Sequence, residues 1–152
     1  MSIRVRIMGR GTRRRGGAAL IELLFAMTVL MALSFGIAEY GFAFMVKHNL
    51  QAAAREGARA AIVPGGTNQQ VTDAVAVMMK AAKLDGSGYK VVVTEAGTGK
   101  ALDVSKAAGG TMIQVEVNCT WDGVGVHVLP TGMGGIDPKR VLFAATVMRK
   151  EG

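Results

Sequence analysis

Between residues 18 and 46 of this 152-residue chain, formal charge occurs only at Glu22 and Glu39. The sixteen residues between those two acids, 23–38, are uncharged and dense in Leu, Met, Phe, Val and Ala. About 20 apolar residues cross a bilayer as a helix, and the run reaches that length once residues 18–21 and 40–46 are counted. It therefore predicts a membrane-spanning helix. Helix-forming sequence continues through AAAREGARAA at residues 52–61, with no breaker except Gly57. Pro64-Gly65-Gly66 supplies the stop, because proline disfavours helix in its predecessor and glycine releases the chain. One helix over residues 18–62 would be about 67 Å long at 1.5 Å per residue.

Charge is distributed unevenly. The net +7 includes six arginines ahead of residue 18: Arg4, Arg6, Arg10, Arg13, Arg14 and Arg15. From Ala18 onward, twelve Lys/Arg face eleven Asp/Glu, which leaves +1. A nucleic-acid surface would spread its basic residues over a folded face, so no nucleic-acid partner is expected. Basic flanks stay on the cytoplasmic side of a membrane helix. Arg13, Arg14 and Arg15 thus set the topology, with residues from about 47 onward outside the cytoplasm. Residues 1–17 read as a basic leader, a targeting or processing segment outside the fold. The expected organisation is a leader at 1–17, a transmembrane helix at 18–46 and an extracytoplasmic domain at 47–152. Cys119 is the single cysteine, so an internal disulfide is excluded and a small buried hydrophobe is expected there.

Beyond the first helix, Thr67 and Gln70 fit a capping box. Val71, Ala74, Val75, Met78 and Ala82 follow the helical period, predicting a second helix over residues 67–83. Asp85-Gly86-Ser87-Gly88 reads as a turn and residues 89–96 (YKVVVTEA) as a strand. Residues 97–110 read as a loop, with a short element at 101–104. In residues 111–121, Ile113, Val115, Val117, Cys119 and Trp121 alternate with polar residues, the clearest strand signal in the chain. Residues 123–137, with five glycines and Pro130, read as a loop with a helical turn near Val126. Residues 141–150 (VLFAATVMRK) close the chain as a strand. The expected class is α+β: a long N-terminal helix, a second helix and a short antiparallel sheet packed on the outer half of the first helix.

No constellation for catalysis is present. His48 and His127 lie outside any metal spacing, and Ser34, Ser87 and Ser105 lack an elbow motif. Gly97-Thr98-Gly99-Lys100 lacks the remaining glycine spacing of a phosphate loop. No enzyme activity, catalytic residue, cofactor, metal or small-molecule substrate is expected. Glu22 stands apart, because a carboxylate inside a membrane helix is costly and marks function by default. A cut between Gly17 and Ala18 would make Glu22 the fifth residue, about 6 Å along the helix from a new cationic amine. That amine, from its own or a neighbouring chain, is a natural partner in a low dielectric. Glu39 and Tyr40 mark the far membrane boundary, where polar and aromatic residues collect. The alanines of residues 52–61 form a thin surface that other backbone can approach. Arg55, Glu56 and Arg59 add polar points there for helix packing or an interface, the two arginines one turn apart.

A basic leader ending in glycine, a cut, then an apolar helix with glutamate fifth resembles the class III signal of type IV pilin-like proteins. The block GGAALIELLFAMTVLMALSFGIAEYGFAF, followed by LQAAAREGARAA, is similar to the TadE-like minor pilins, or pseudopilins, of the tight-adherence (Tad) pilus machinery. The closing LFAATVMRKEG after a glycine-rich loop is similar to that family's last strand. The chain departs from the pattern at Leu23, where processed Tad proteins usually carry an aromatic. The resemblance implies cleavage after Gly17 by a prepilin peptidase, Ala18 as the new N-terminus and Glu22 as the assembly acid. It implies as partners other minor and major pilin subunits, an inner-membrane assembly platform and membrane lipid. The expected location is the bacterial inner membrane, single-pass, N-terminus cytoplasmic and outer domain periplasmic, with incorporation into a surface pilus. Major subunits of such pili are shorter and lack an outer domain, so the resemblance implies a minor subunit.

Two alternatives remain at this point. A signal peptidase could cut near Ala32-Leu33-Ser34 or Gly36-Ile37-Ala38 and free a secreted binding domain starting at Phe35 or Glu39. Alternatively, the outer domain of an anchored protein is an adhesin, with Tyr89 and Trp121 as candidate aromatic anchors.

Overall fold

The structure is a computed structural model that describes residues 15–151. Its elements in chain order are α1 (Arg15–Ile62), α2 (Asn68–Ala81), β1 (Lys90–Glu95), β2 (Met112–Thr120), α3 (Trp121–Val124) and β3 (Val141–Arg149). Single 3-10 turns at Asp85–Ser87, Val104–Lys106 and Thr131–Met133 punctuate the connections. The fold is α+β, with a long apolar helix, a second helix and a three-stranded antiparallel sheet. The chain divides into two units between Phe35 and Gly36, and each is described by itself.

The described residues of the first unit are helical. α1 starts at Arg15, three residues before the expected Ala18, and takes in Gly16 and Gly17. Each glycine costs a helix about 1 kcal/mol against alanine, too little to stop a helix already carried by the long run that follows. The apolar side chains of residues 20–35 are exposed, Leu20 at 63 %, Ile21 at 71 % and Phe25 at 73 %. The hydroxyls within this run bond back into the helix. Thr28 donates to the Leu24 carbonyl at 2.9 Å and Ser34 to the Leu30 carbonyl at 2.8 Å. This is the internal satisfaction a helix in lipid requires. A continuous apolar surface of this size marks a membrane or a protein partner, and the helix is long and apolar enough to anchor the chain in a membrane.

In the second unit the sheet order is β1-β2-β3, both pairs antiparallel. The central strand β2 alternates as expected: Ile113, Val115, Val117 and Cys119 are buried. On α1 the buried positions are Glu39, Val46, Leu50, Ala53, Ala54, Gly57, Ala58 and Ala61, a stripe on one face of the helix. That stripe packs with α2 and the inner face of the sheet around Val75, Met79, Val117 and Trp121. The capping box of α2 is formed: the Gln70 amide donates to the Thr67 hydroxyl and the Thr67 amide to the Gln70 side chain. The inward residues of α2 are Val71, Val75 and Met79; Met78 and Ala82 are half-buried.

Trp121 departs from the sequence expectation. The chain leaves the strand at Thr120, whose hydroxyl accepts from the Gly123 amide at 3.4 Å, and Trp121 begins α3. Its indole is nonetheless wholly buried. At the other end of the domain, Glu151 donates its amide to the Ile62 carbonyl at 3.1 Å, satisfying one of the acceptors left open where α1 stops.

Gly57 sets how closely α1 can lie on the domain. A Cβ there would sit 2.7 Å from Val75 Cγ2 and 3.2 Å from Val115 Cγ1. Both neighbours are β-branched and stiff. Gly57→Ala gains about 1 kcal/mol of helix propensity against an overpacking cost of about 1–3 kcal/mol. The expected net result is a destabilised domain, read as a lower melting midpoint in the fluorescence of Trp121. A raised midpoint would show that helix propensity wins.

Candidate functional site

The residues singled out in the sequence fall at separate places on α1. Arg13 and Arg14 lie outside the described residues, and Arg15 opens the helix. Gly17, Ala18 and Glu22 follow in its first turns, all exposed. Ala18 and Glu22 are one turn apart and lie along the same helix face. Arg55, Glu56 and Arg59 are exposed, while Ala53, Ala54, Gly57 and Ala58 beside them are buried. The small residues admit the sheet and α2, and the charges project away from that packing.

Glu39 is the residue whose role the sequence concealed. It lies on the buried stripe of α1, one and two turns before Ala43 and Val46, and is 1 % exposed. Its two carboxylate oxygens each accept one backbone amide from the glycine-rich connection between α3 and β3. Leu129 N–H donates to Oε2 at 2.9 Å and Ile136 N–H to Oε1 at 2.8 Å. The loop is pinched so that both amides reach one side chain. Gly135 N–H donates to the Pro130 carbonyl at 3.2 Å, and a Cβ on Gly135 would come within 2.1 Å of the Leu129 carbonyl oxygen. Only glycine fits that approach. Glu39 thus fastens a loop ninety residues away to the helix at the outer end of the apolar run. The signal available in the sequence was its place on the i, i+4, i+7 stripe of buried residues.

Beside this clasp lies a groove of about 190 Å³, lined by Tyr40, Phe44, Lys47, Ile136, Arg140 and Leu142 among others. Ile136 joins the two features: its amide binds Glu39 and its side chain lines the groove. Neither Lys47 nor Arg140 is a residue the sequence reading selected.

The remaining polar groups serve the fold. Asn68 uses its side-chain oxygen to accept the Val104 amide at 2.9 Å and its NH2 to donate to the Leu102 carbonyl at 3.2 Å. This pins the 97–110 loop to the start of α2. Lys150 is buried and donates to the Val104 carbonyl. Two bonds from Ser105, hydroxyl and amide, hold the exposed Asp103 carboxyl below its usual range. Burial pushes the Cys119 thiol up, opposed by a bond with Ser87, which keeps it a protonated and poorly nucleophilic core residue. His127 lies edge-on to Trp121 with ring centroids 6.4 Å apart, and its Nε2 is 3.5 Å from Asp122. Among the described residues, no three His, Cys, Asp or Glu side chains gather as a metal site.

The stretch carrying Gly17, Glu22, Glu39 and the Arg55-Glu56-Gly57-Ala58-Arg59 segment matches a protein-family model described as TadE-like protein, over residues 17–59. Over that stretch the chain is similar to TadE-like proteins. The match opens at Gly17 and ends at Arg59, so it covers nearly all of α1 and none of the sheet. Comparison with curated proteins and with solved structures finds no match.

Proposed function

We propose that this chain is a minor pilin-like subunit of the Tad pilus machinery, anchored in the inner membrane by residues 18–46 until it enters the assembly. The observation that carries this reading is the TadE-like match over residues 17–59, which coincides with the glycine, the fifth-position acid and the apolar run. The arginine leader holds the N-terminus in the cytoplasm while the helix inserts. A prepilin peptidase then cuts between Gly17 and Ala18, removing residues 1–17 and six positive charges. The apolar side chains of residues 20–35 become free to pack against helices of other pilin subunits on the assembly platform. Glu22 pairs with an Ala18 amine as the helix leaves lipid. The domain beyond Lys47 lies outside the cytoplasm and presents sheet, loops and the Arg55, Glu56 and Arg59 face to its neighbours. Tyr40 marks the outer membrane boundary of the helix, and Glu39 sits beside it, bound to the loop.

The mature N-terminus tests this reading. Intact-mass measurement and N-terminal sequencing of the protein recovered from membranes should give a chain beginning at Ala18. A start at Phe35 or Glu39 would make it a secreted domain, and a retained arginine leader in a working protein would remove the processing step altogether. Helix that continues unbroken through residues 32–39 favours the first outcome over a signal-peptidase cut.

A further inference from the structure

The groove beside residues 40–47 has no part in the assembly chemistry, yet it combines an apolar wall with two cations. The ion pairs among the described residues are Lys106–Asp103 and His127–Asp122. Lys47 and Arg140 are exposed and have no carboxylate partner there. Their backbones are held by unrelated parts of the fold. Lys47 is within α1, whereas Arg140 donates its amide to the Asp137 carbonyl and accepts the Trp121 amide, both at 2.9 Å. The cations are therefore brought to one groove by tertiary structure. At about 190 Å³ it falls short of the ~300–1,000 Å³ typical of small-molecule sites, and it is open to solvent along Tyr40 and Phe44.

Position along the helix says what such a groove meets. Lys47 is the first basic residue after the apolar run of residues 18–46, and basic side chains at the ends of membrane helices reach the headgroup layer. The hydrocarbon core of a bilayer is about 30 Å thick, and about 40–45 Å with its headgroups. Read as the end of a membrane anchor, this segment brings Tyr40 and Phe44 to the edge of the hydrocarbon and Lys47 to the headgroup layer. There the available anion is a lipid phosphate, and the available apolar group is the start of an acyl chain.

We propose that this groove holds the headgroup of an anionic phospholipid. Lys47 and Arg140 meet the phosphate, and Tyr40, Phe44 and Leu142 lie along the first methylenes. The proposal rests on the reading of α1 as a membrane anchor. It gives the outer domain a seat on the bilayer, one that must be vacated when the subunit moves into a filament.

The test uses the full chain in lipid nanodiscs of phosphatidylcholine alone or mixed with phosphatidylglycerol. Trp121, the single tryptophan, is buried in the outer domain, so its fluorescence melt reads that domain and not the arginine leader. A ligand that binds only the folded state raises the midpoint. The expected rise in the anionic discs is on the order of 8 °C, the sum for two basic residues near an anionic surface. The double variant K47Q/R140Q should abolish the rise, while K80Q/K100Q, an equal loss of charge elsewhere, should keep it. Equal midpoints in the two kinds of disc, or equal losses in both double variants, would overturn the proposal. So would a midpoint that climbs with the number of chains per disc whatever the lipid, which would give the groove to a second copy. Failure of the chain to enter discs at all would instead count against the anchor.

Discussion

Replacing Glu39 by alanine is expected to destabilise the outer domain by about 3 kcal/mol, because it strands two buried backbone donors at about 1–3 kcal/mol each. For a domain of this size that lowers the melting midpoint by roughly 12 °C. The Leu129 and Ile136 amides, now without acceptors, should lose their protection from hydrogen exchange, while those of β2 keep theirs relative to global unfolding. Glu39→Gln separates geometry from chemistry. Its amide offers one acceptor and turns an NH2 toward the second donor, so it should fall between wild type and alanine. Gly135→Ala should reproduce the exchange pattern of Glu39→Ala without touching the acid, since it forces Leu129 and Ile136 apart. If Glu39→Ala melts with wild type and the loop stays protected, the clasp contributes nothing and the acid is only a boundary residue.

The Glu39 clasp also shows where sequence reading stops. The element types were legible because each rests on a local period: three-four spacing in α1 and α2, alternation in β2. Their ends were legible where chemistry is local, at Pro64-Gly65-Gly66 and at the Thr67–Gln70 box. The start of α1 was not, since Gly16 and Gly17 resemble breakers and only the weight of the following run decides that they stay helical. Nor was the fate of Trp121, whose side chain keeps the strand's inward phase although its backbone has already turned into α3. The partners of Glu39 sit 90 and 97 residues away, in a loop with no period at all. A polar residue on a buried stripe shows that a partner must exist, but backbone amides carry no signature in the sequence. The same holds for Arg140, which lines one groove with Lys47 only because of the fold. Gly17, Ala18 and Glu22 are a reading of the opposite kind: the pairing proposed for them needs one turn of helix and nothing from the fold.

The second large effect concerns that turn. Glu22→Ala leaves every contact of the outer domain intact and makes the helix more apolar, so membrane insertion should be unchanged or improved. What it removes is the carboxylate proposed to meet an Ala18 amine once water and lipid headgroups are left behind. Breaking a buried ion pair by deleting one partner costs about 3–5 kcal/mol, which corresponds to a loss of incorporation of about 100-fold or more. Glu22→Gln should be nearly as impaired, because an amide can accept a hydrogen bond but cannot neutralise the amine. Glu56→Ala, which removes an exposed acid farther along α1, serves as the control and should assemble normally.

The decisive measurement is therefore the count of surface pili, with the amount of this subunit in sheared filaments, in cells whose only copy carries Glu22→Ala. The membrane level of the protein is matched to wild type. The expected result is wild-type membrane content, a mature chain that still begins at Ala18, and pili reduced to a small fraction or absent. Normal piliation at equal membrane level, with the variant present in the filaments, would contradict the pairing of Glu22 with the Ala18 amine and the assembly role assigned to this helix.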